Sequence, residues 1–542
     1  MKEYFEKPHR ENTTDKLLNF RPVFFVAVFL CLGIAFGWLC FFKNVSFLWS
    51  GLLLPVIGIL LYCFGSNRSF KKTVWIVLSL LLAFYFGHGV FIARAEKYTE
   101  ISLSNGEYNV VGVVEQKTQL ESFLELVLLD VRVEGKSQYG KLVAYLPTSF
   151  FEKVQLADEL LLEGFVGRYE DFSAYNADEN VRFKMYAEGV EVVGRSSNLF
   201  LRFRALLENT LYKNMERTSA SLTVAVLTGN TGGISKGLLE NMRYGGIAHV
   251  FAVSGLHVSA LYLFSRFLTE KTKLRKLPKL AKFSTAALLL IIYGAVCGFS
   301  ASIIRALTIC LLLSAAGYIG MGSDMTENAG AAAIIVLLRS PFALFTVGFQ
   351  LSFAAFLGII WLNRPISNVC HALLKKLFRN QETRREQVDR PPSFGGRVQR
   401  RIVSFFAVST SAQIFTAPIL LSAFGYLSGL ALLLNCIFVP LLSLCFSFLL
   451  LTAILACILP FLAGILLYLP SMLWNALVLV FEVVDFSRFC IAGIELSGGA
   501  VALYYCALLF LTDKWNLNSF LKKVCFVGLC LLFGVGMYGL NG

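Results

Sequence analysis

Two histidines, His249 and His257, stand eight residues apart in the stretch Ala248-His-Val-Phe-Ala-Val-Ser-Gly-Leu-His257, with Ser254 and Gly255 between them. The rest of the stretch is apolar enough for a membrane interior. Ionisable or hydrogen-bonding side chains are expensive at that depth, so they need a task or a buried partner. Imidazole can hold a metal or carry a proton. Metal binding is disfavoured here, because the spacing is not the His-x-x-x-His of a helical zinc site and no acidic residue accompanies the pair. Ser254-Gly255 lets a helix kink or break. A broken helix that lines a cavity exposes backbone groups to a substrate. The bland alternative is a close helix contact at Gly255, with both histidines paired inside the protein.

Further polar positions sit in other apolar runs. Gly298-Phe-Ser-Ala-Ser-Ile-Ile-Arg305 places an arginine a turn and a half into one of them. Arg305 either snorkels or faces a water-filled path or a phosphate. Asp324 either balances it or sits in a loop. Gly348-Phe-Gln-Leu-Ser352 sets Gln350 and Ser352 among Phe, Leu and Ala, and Ser411, Gln413 and Asn435 continue the theme. Single amides often only join helices; several on different helices suggest a lined passage. The candidate path residues are therefore His249, Ser254, Gly255, His257, Arg305, Gln350, Ser352, Gln413 and Asn435. No Ser-His-Asp order, P-loop or dinucleotide fingerprint stands out, and Gly229–Gly233 lacks the following Lys-Ser/Thr. No catalytic residue, metal or cofactor is expected, and directed transport needs an outside energy source.

The elements that must hold these residues follow from composition. The 542 residues are 56% hydrophobic and 15% charged, against about a quarter charged in a soluble domain. Apolar runs of membrane length recur, so the chain reads as a polytopic α-helical membrane protein. The net charge of +14 has an ordinary source in basic cytoplasmic loops. The 13 cysteines lie mostly in apolar runs and read as small buried hydrophobes.

Residues 1–94 read as a cytoplasmic tail and three spans, at 22–42, 46–64 and 74–93. Arg68, Lys71 and Lys72 in the second loop place the N-terminus inside and the following region outside. Residues 95–196 alternate with period two in Tyr108–Glu115, Phe123–Val133, Lys141–Tyr145, Glu159–Gly167 and Glu188–Val193. That pattern predicts half-buried strands, and the count suits a small five-stranded barrel of OB-like type. Residues 95–195 hold 10 basic and 18 acidic side chains, which disfavours a non-specific grip on nucleic acid. Residues 197–218 read as an amphipathic interfacial helix. Residues 219–542 follow, opening with a run at 219–229 too short to span. Longer runs come at 247–265, 283–299, 303–320, 326–338, 342–360, 403–424, 427–448, 449–468, 496–511 and 520–540. Residues 471–488, with Glu482 and Asp485, read as interfacial. About ten to twelve crossings result, with a flexible basic cytoplasmic loop at 362–402.

The order and spacing of several segments resemble the ComEC family of competence proteins. These are Leu227-Thr-Gly-Asn-Thr-Gly-Gly-Ile-Ser, His249 through His257-Val, Gly298-Phe-Ser-Ala-Ser with Arg305-Ala306, Pro341 with Val347-Gly-Phe-Gln-Leu-Ser-Phe353, and Ala412-Gln413, Pro418 and Asn435 with Pro440. They cover roughly residues 225–445. Phe172, Tyr175, Asn176, Tyr186 and Gly189 resemble the motif that closes the family's extracytoplasmic OB-like domain, with Ala177 where proline is usual. The resemblance implies a multi-pass protein of the bacterial inner membrane that conducts single-stranded DNA inward during natural transformation. It implies a DNA receptor outside and an ATP-dependent helicase or translocase inside. It leaves open a homodimer and a separate nuclease. Longer members carry a metallo-β-lactamase-like domain with a His-x-His-x-Asp-His cluster. The five histidines here do not form one, so no nuclease activity is expected. The competing readings are a transporter of another solute, anionic or not, and a non-conducting assembly scaffold.

Overall fold

A computed structural model describes residues 21–43, 68–100, 103–120, 122–169, 172–251, 255–271, 276, 278–319, 323–377, 394–494, 496 and 498–511. The chain opens with two long apolar helices, α1 (Pro22–Lys43) and α2 (Arg68–Thr99). The run expected at 46–64 lies outside the described residues. Backbone of α1 and α2 meets at glycines: any side chain on Gly33 would collide with the Phe84 carbonyl of α2. Small residues allow such close approach where no hydrophobic effect drives helices together.

A β region follows: β1 (Gly106–Gln119), β2 (Phe123–Val133), β3 (Lys136–Ser137), β4 (Lys141–Pro147), β5 (Asp158–Arg168), a short helix α3 (Ala174–Asp178) and β6 (Val181–Arg195). Period two is visible in β2, where Leu124, Leu126 and Leu128 are fully buried while Phe123 is exposed. They share a core with Leu142, Leu146, Leu160, Leu162 and Met185. The five-stranded OB-like barrel expected from the sequence is corrected here. The region is a six-stranded mixed sheet in the order β1-β5-β6-β4-β2-β3, with a further β1–β2 pairing. β4 and β6 run parallel and the other pairs antiparallel. The extra strand, β3, returns from β2 through Glu134 and Gly135, both at positive φ (48° and 80°), as a tight hairpin turn requires. Two residues are too few to show a period, so alternation could not reveal it.

The rest is helical: α4 (Leu199–Asn214), α5 (Arg217–Thr228), α6 (Lys236–Tyr244), α7 (Gly255–Lys271), α8 (Lys279–Val296), α9 (Ala301–Ile319), α10 (Met325–Arg339), α11 (Val347–Leu377), α12 (Phe394–Phe424), α13 (Ala431–Ile458), α14 (Ala463–Val483) and α15 (Gly498–Leu511). A two-stranded sheet pairs β7 (Tyr426–Ser428) with β8 (Cys490–Ala492). One core joins Leu211 of α4, Leu222 of α5, Val258 of α7, Leu290 of α8, Phe446 of α13 and Trp474 of α14. A second joins α1 and α2 to α10 and α11, and Phe172 of the β region packs against it.

Among the described residues, eight helices are long and apolar enough to cross a membrane; two of the ten to twelve crossings expected, at 46–64 and 520–540, lie outside the described residues. The eight are α1, α2 from Val74, α8, α9, α11, α12, α13 and α14. The protein is a multi-pass membrane protein. The differences have local causes. The runs at 427–448 and 449–468 do not part at residue 448; α13 passes through and ends at Ile458, before Pro460 starts a new turn. Residues expected along the interface then complete α14, and Asp485 caps the 3-10 turn Phe486–Phe489. α7 begins at Gly255, inside the run at 247–265, and α7, α10 and α15 hold 17, 15 and 14 described residues, against the roughly 20 a bilayer needs. The run at 520–540 lies outside the described residues, as do residues 378–393 of the basic loop. Among the described residues the cysteines form no disulfide.

Candidate functional site

The glycine-rich segment is set by the end of α5. Every residue of α5 from Ser219 to Thr228 is buried, and Gly229 stops it at φ 82°, the left-handed cap that glycine adopts without strain. Past the cap, the Asn230 carbonyl oxygen accepts from the Gly232 N–H (3.1 Å) and its amide donates to Glu208 Oε2 (3.3 Å). Glu208 Oε1 accepts from Arg204 Nε (3.0 Å) and from the Thr228 hydroxyl (3.5 Å). Arg204 and Glu208 are only 8% and 5% exposed, so α4 turns an ion pair inward to hold this segment. The i,i+4 spacing of Arg204 and Glu208 was the available signal, but it reads equally well as a solvated pair.

His249 lies in the 3-10 turn Ala248–Val250, exposed, its Nδ1 3.1 Å from the Gly246 carbonyl oxygen. Ser254 lies outside the described residues. His257, on α7, is fully buried, 4.7 Å from the Phe446 ring of α13. The two histidines thus belong to different elements.

Three of the sequence candidates come together around Arg305. Its side chain leaves α9, is 8% exposed, and donates through Nη1 to the Ser352 carbonyl of α11. Ser302 and Ser352 hydroxyls lie 3.1 Å apart. A Cβ on Gly255, the first residue of α7, would stand 3.1 Å from Nη2, so a side chain at that position would crowd the guanidinium. The Phe353 and Phe356 rings lie 5.7 Å from the cation. Nε–H is buried with no acceptor, and no carboxylate pairs with Arg305 among the described residues. Asp324 is engaged elsewhere: it bonds Arg21 at 2.8 Å and caps α10. The arrangement can therefore offer hydrogen-bond donors and a positive charge to an anion at membrane depth.

The remaining candidates sit apart from this cluster. Gln350 donates to the Leu344 carbonyl (3.1 Å) and Gln413 to the Ser428 carbonyl (3.3 Å). Ser411 bonds within its own helix at 2.6 Å. The Asn435 Oδ1 is buried without a donor. No group of three His, Cys, Asp or Glu side chains is placed to hold a metal among the described residues.

No curated protein and no solved structure matches the chain. A family model described as Competence protein matches residues 226–517, from the end of α5 past α15. That match spans the glycine-rich segment, His249, His257 and Arg305, and it covers more than half of the chain, so the chain belongs to the competence protein family.

Proposed function

We propose that this protein is the conduit through which single-stranded DNA crosses the inner membrane in natural transformation. A DNA receptor outside delivers the strand, and an ATP-driven helicase or translocase inside pulls it. The N-terminus is cytoplasmic and the acidic sheet extracytoplasmic, in keeping with the basic segment at 362–401 facing the cytoplasm after the crossings of α8, α9 and α11. The observation that carries the reading is the buried Arg305, with an unsatisfied Nε–H and no acidic partner among the described residues. A desolvated guanidinium among three helices, with a donor still unsatisfied, suits a phosphate that passes and leaves. His249, Gln413 and Asn435 extend the proposed lining, and His257 supports α7 from within.

An anionic solute would satisfy the same cation, and the excess of acidic residues in the sheet favours that second reading. Uptake of labelled transforming DNA separates the two. Wild type, a deletion, Arg305→Lys and a His257→Ala/Arg305→Ala variant are compared at matched membrane levels. The expected result is DNA held outside and still open to nuclease, with internalisation down about tenfold or more in the Arg305 variants, the loss expected for a charged hydrogen bond. Normal internalisation in the deletion sinks the DNA reading. Normal internalisation in stable Arg305 variants removes the arginine from it.

A further inference from the structure

A polar cavity of about 220 Å³ lies where the last turns of α2 meet α3, β4, β6 and the end of α10. Five cations face it, Arg94, Lys97, Lys141, Arg182 and Arg339, against the carboxylates of Asp178 and Glu179. Four of the five already have a partner. Lys141 pairs with Glu115 at 2.6 Å and Glu179 at 3.3 Å. Arg182 is buried, donates to the Lys97 carbonyl at 2.8 Å, and stacks 4.8 Å from the Tyr139 ring. Lys97 lies 4.3 Å over the Tyr139 ring and Arg339 donates to the Phe299 carbonyl, but neither they nor Arg94 form an ion pair with a described residue, so the cavity keeps an excess of positive charge. Arg94 and Lys97 are exposed and lie on one face of α2, one turn apart. They sit in the final turns of the candidate span Val74–Thr99, the depth at which hydrocarbon gives way to headgroups.

We propose that this cavity seats the phosphate of an anionic membrane phospholipid, with Arg94 and Lys97 supplying the grip and Arg339 the far wall. The volume suits a phosphate ester with a few waters, at about 30 Å³ per water. A nucleic-acid strand in passage needs an extended groove. Occupancy would add to the tie between α2 and the sheet, where the Tyr98 hydroxyl already donates to the Val181 carbonyl at 2.7 Å. The site is separate from Arg305 and its test does not depend on uptake.

The full chain is placed in phosphatidylcholine nanodiscs, phosphatidylglycerol is titrated in, and retained lipid is read by native mass spectrometry. Arg94→Gln/Lys97→Gln is compared with the exposed control Lys136→Gln/Lys153→Gln on the sheet. The pocket variant is expected to retain about tenfold less phosphatidylglycerol, on the scale of two basic side chains at a membrane surface. The control should match wild type, and all three should melt alike in pure phosphatidylcholine. Unchanged retention, or an equal fall in the control, overturns the proposal. Retention displaced by soluble glycerol phosphate would assign the cavity to a free phosphate. Single-stranded oligonucleotide binding lost in the pocket variant, with lipid retention intact, would assign it to nucleic acid. Either result also overturns the lipid proposal.

Discussion

Arg305 and Glu208 are both ionised side chains buried among helices, and their surroundings separate their roles. Glu208 meets a cation and two neutral donors, from Arg204, Thr228 and Asn230. Its surroundings are complete, so it is structural. Glu208→Ala leaves Arg204 as a buried uncompensated charge and should cost about 3–5 kcal/mol, read as a fall in melting temperature in detergent. Arg204→Met/Glu208→Leu removes both charges and should lose less; a double variant as unstable as the single would show that the ion pair itself is not what matters. Arg305 instead keeps a donor without an acceptor. An incomplete environment for a buried cation has a standing cost, which makes it a site hypothesis rather than a packing feature.

At the scale of elements, α1 and α2 are held close by glycine rather than by shape-matched large side chains. Gly33 presses on the Phe84 backbone and Gly87 on that of Leu30, whereas Gly89 faces open space. Gly33→Ala should therefore destabilise by about 1–3 kcal/mol, the scale of overpacking. Gly89→Ala should be neutral or slightly stabilising through helix propensity. Equal melting temperatures for the two variants would show that the helices separate without cost. The start of α7 works differently: a Cβ on Gly255, its first residue, would stand 3.1 Å from the Arg305 Nη2, so a residue without a side chain eases that approach.

For the whole molecule, the question is which side the sheet faces. On the proposed orientation the sheet lies outside and the basic segment after α11 inside, with the crossings of α8, α9 and α11 between them. Glu188→Cys, exposed on β6, should react with an impermeant maleimide in intact spheroplasts; Arg384→Cys, in the basic segment after α11, should react only after permeabilisation. The opposite labelling pattern would invert the orientation and with it the direction of transport. The parity also passes through the run at 46–64, outside the described residues, so the labelling is a direct measure of a crossing that composition alone suggests.

Membrane class, the presence of strands between α2 and α4, and the family resemblance were legible in the sequence. Hydropathy and period-two alternation are properties of consecutive residues, and each strand longer than two residues in that region left such a trace. The extra strand β3 left none, and helix ends at Ile458 and Val483 were blurred because uniformly apolar chain carries little punctuation. Only the tertiary structure decided which polar groups meet. Arg305 reaches Ser352, 47 residues on, and Asp324 turns to Arg21, 303 residues back, instead of to Arg305. Hydrogen bonds and ion pairs depend on distance and direction in space, and a sequence supplies the partners without stating which of them will be brought within reach.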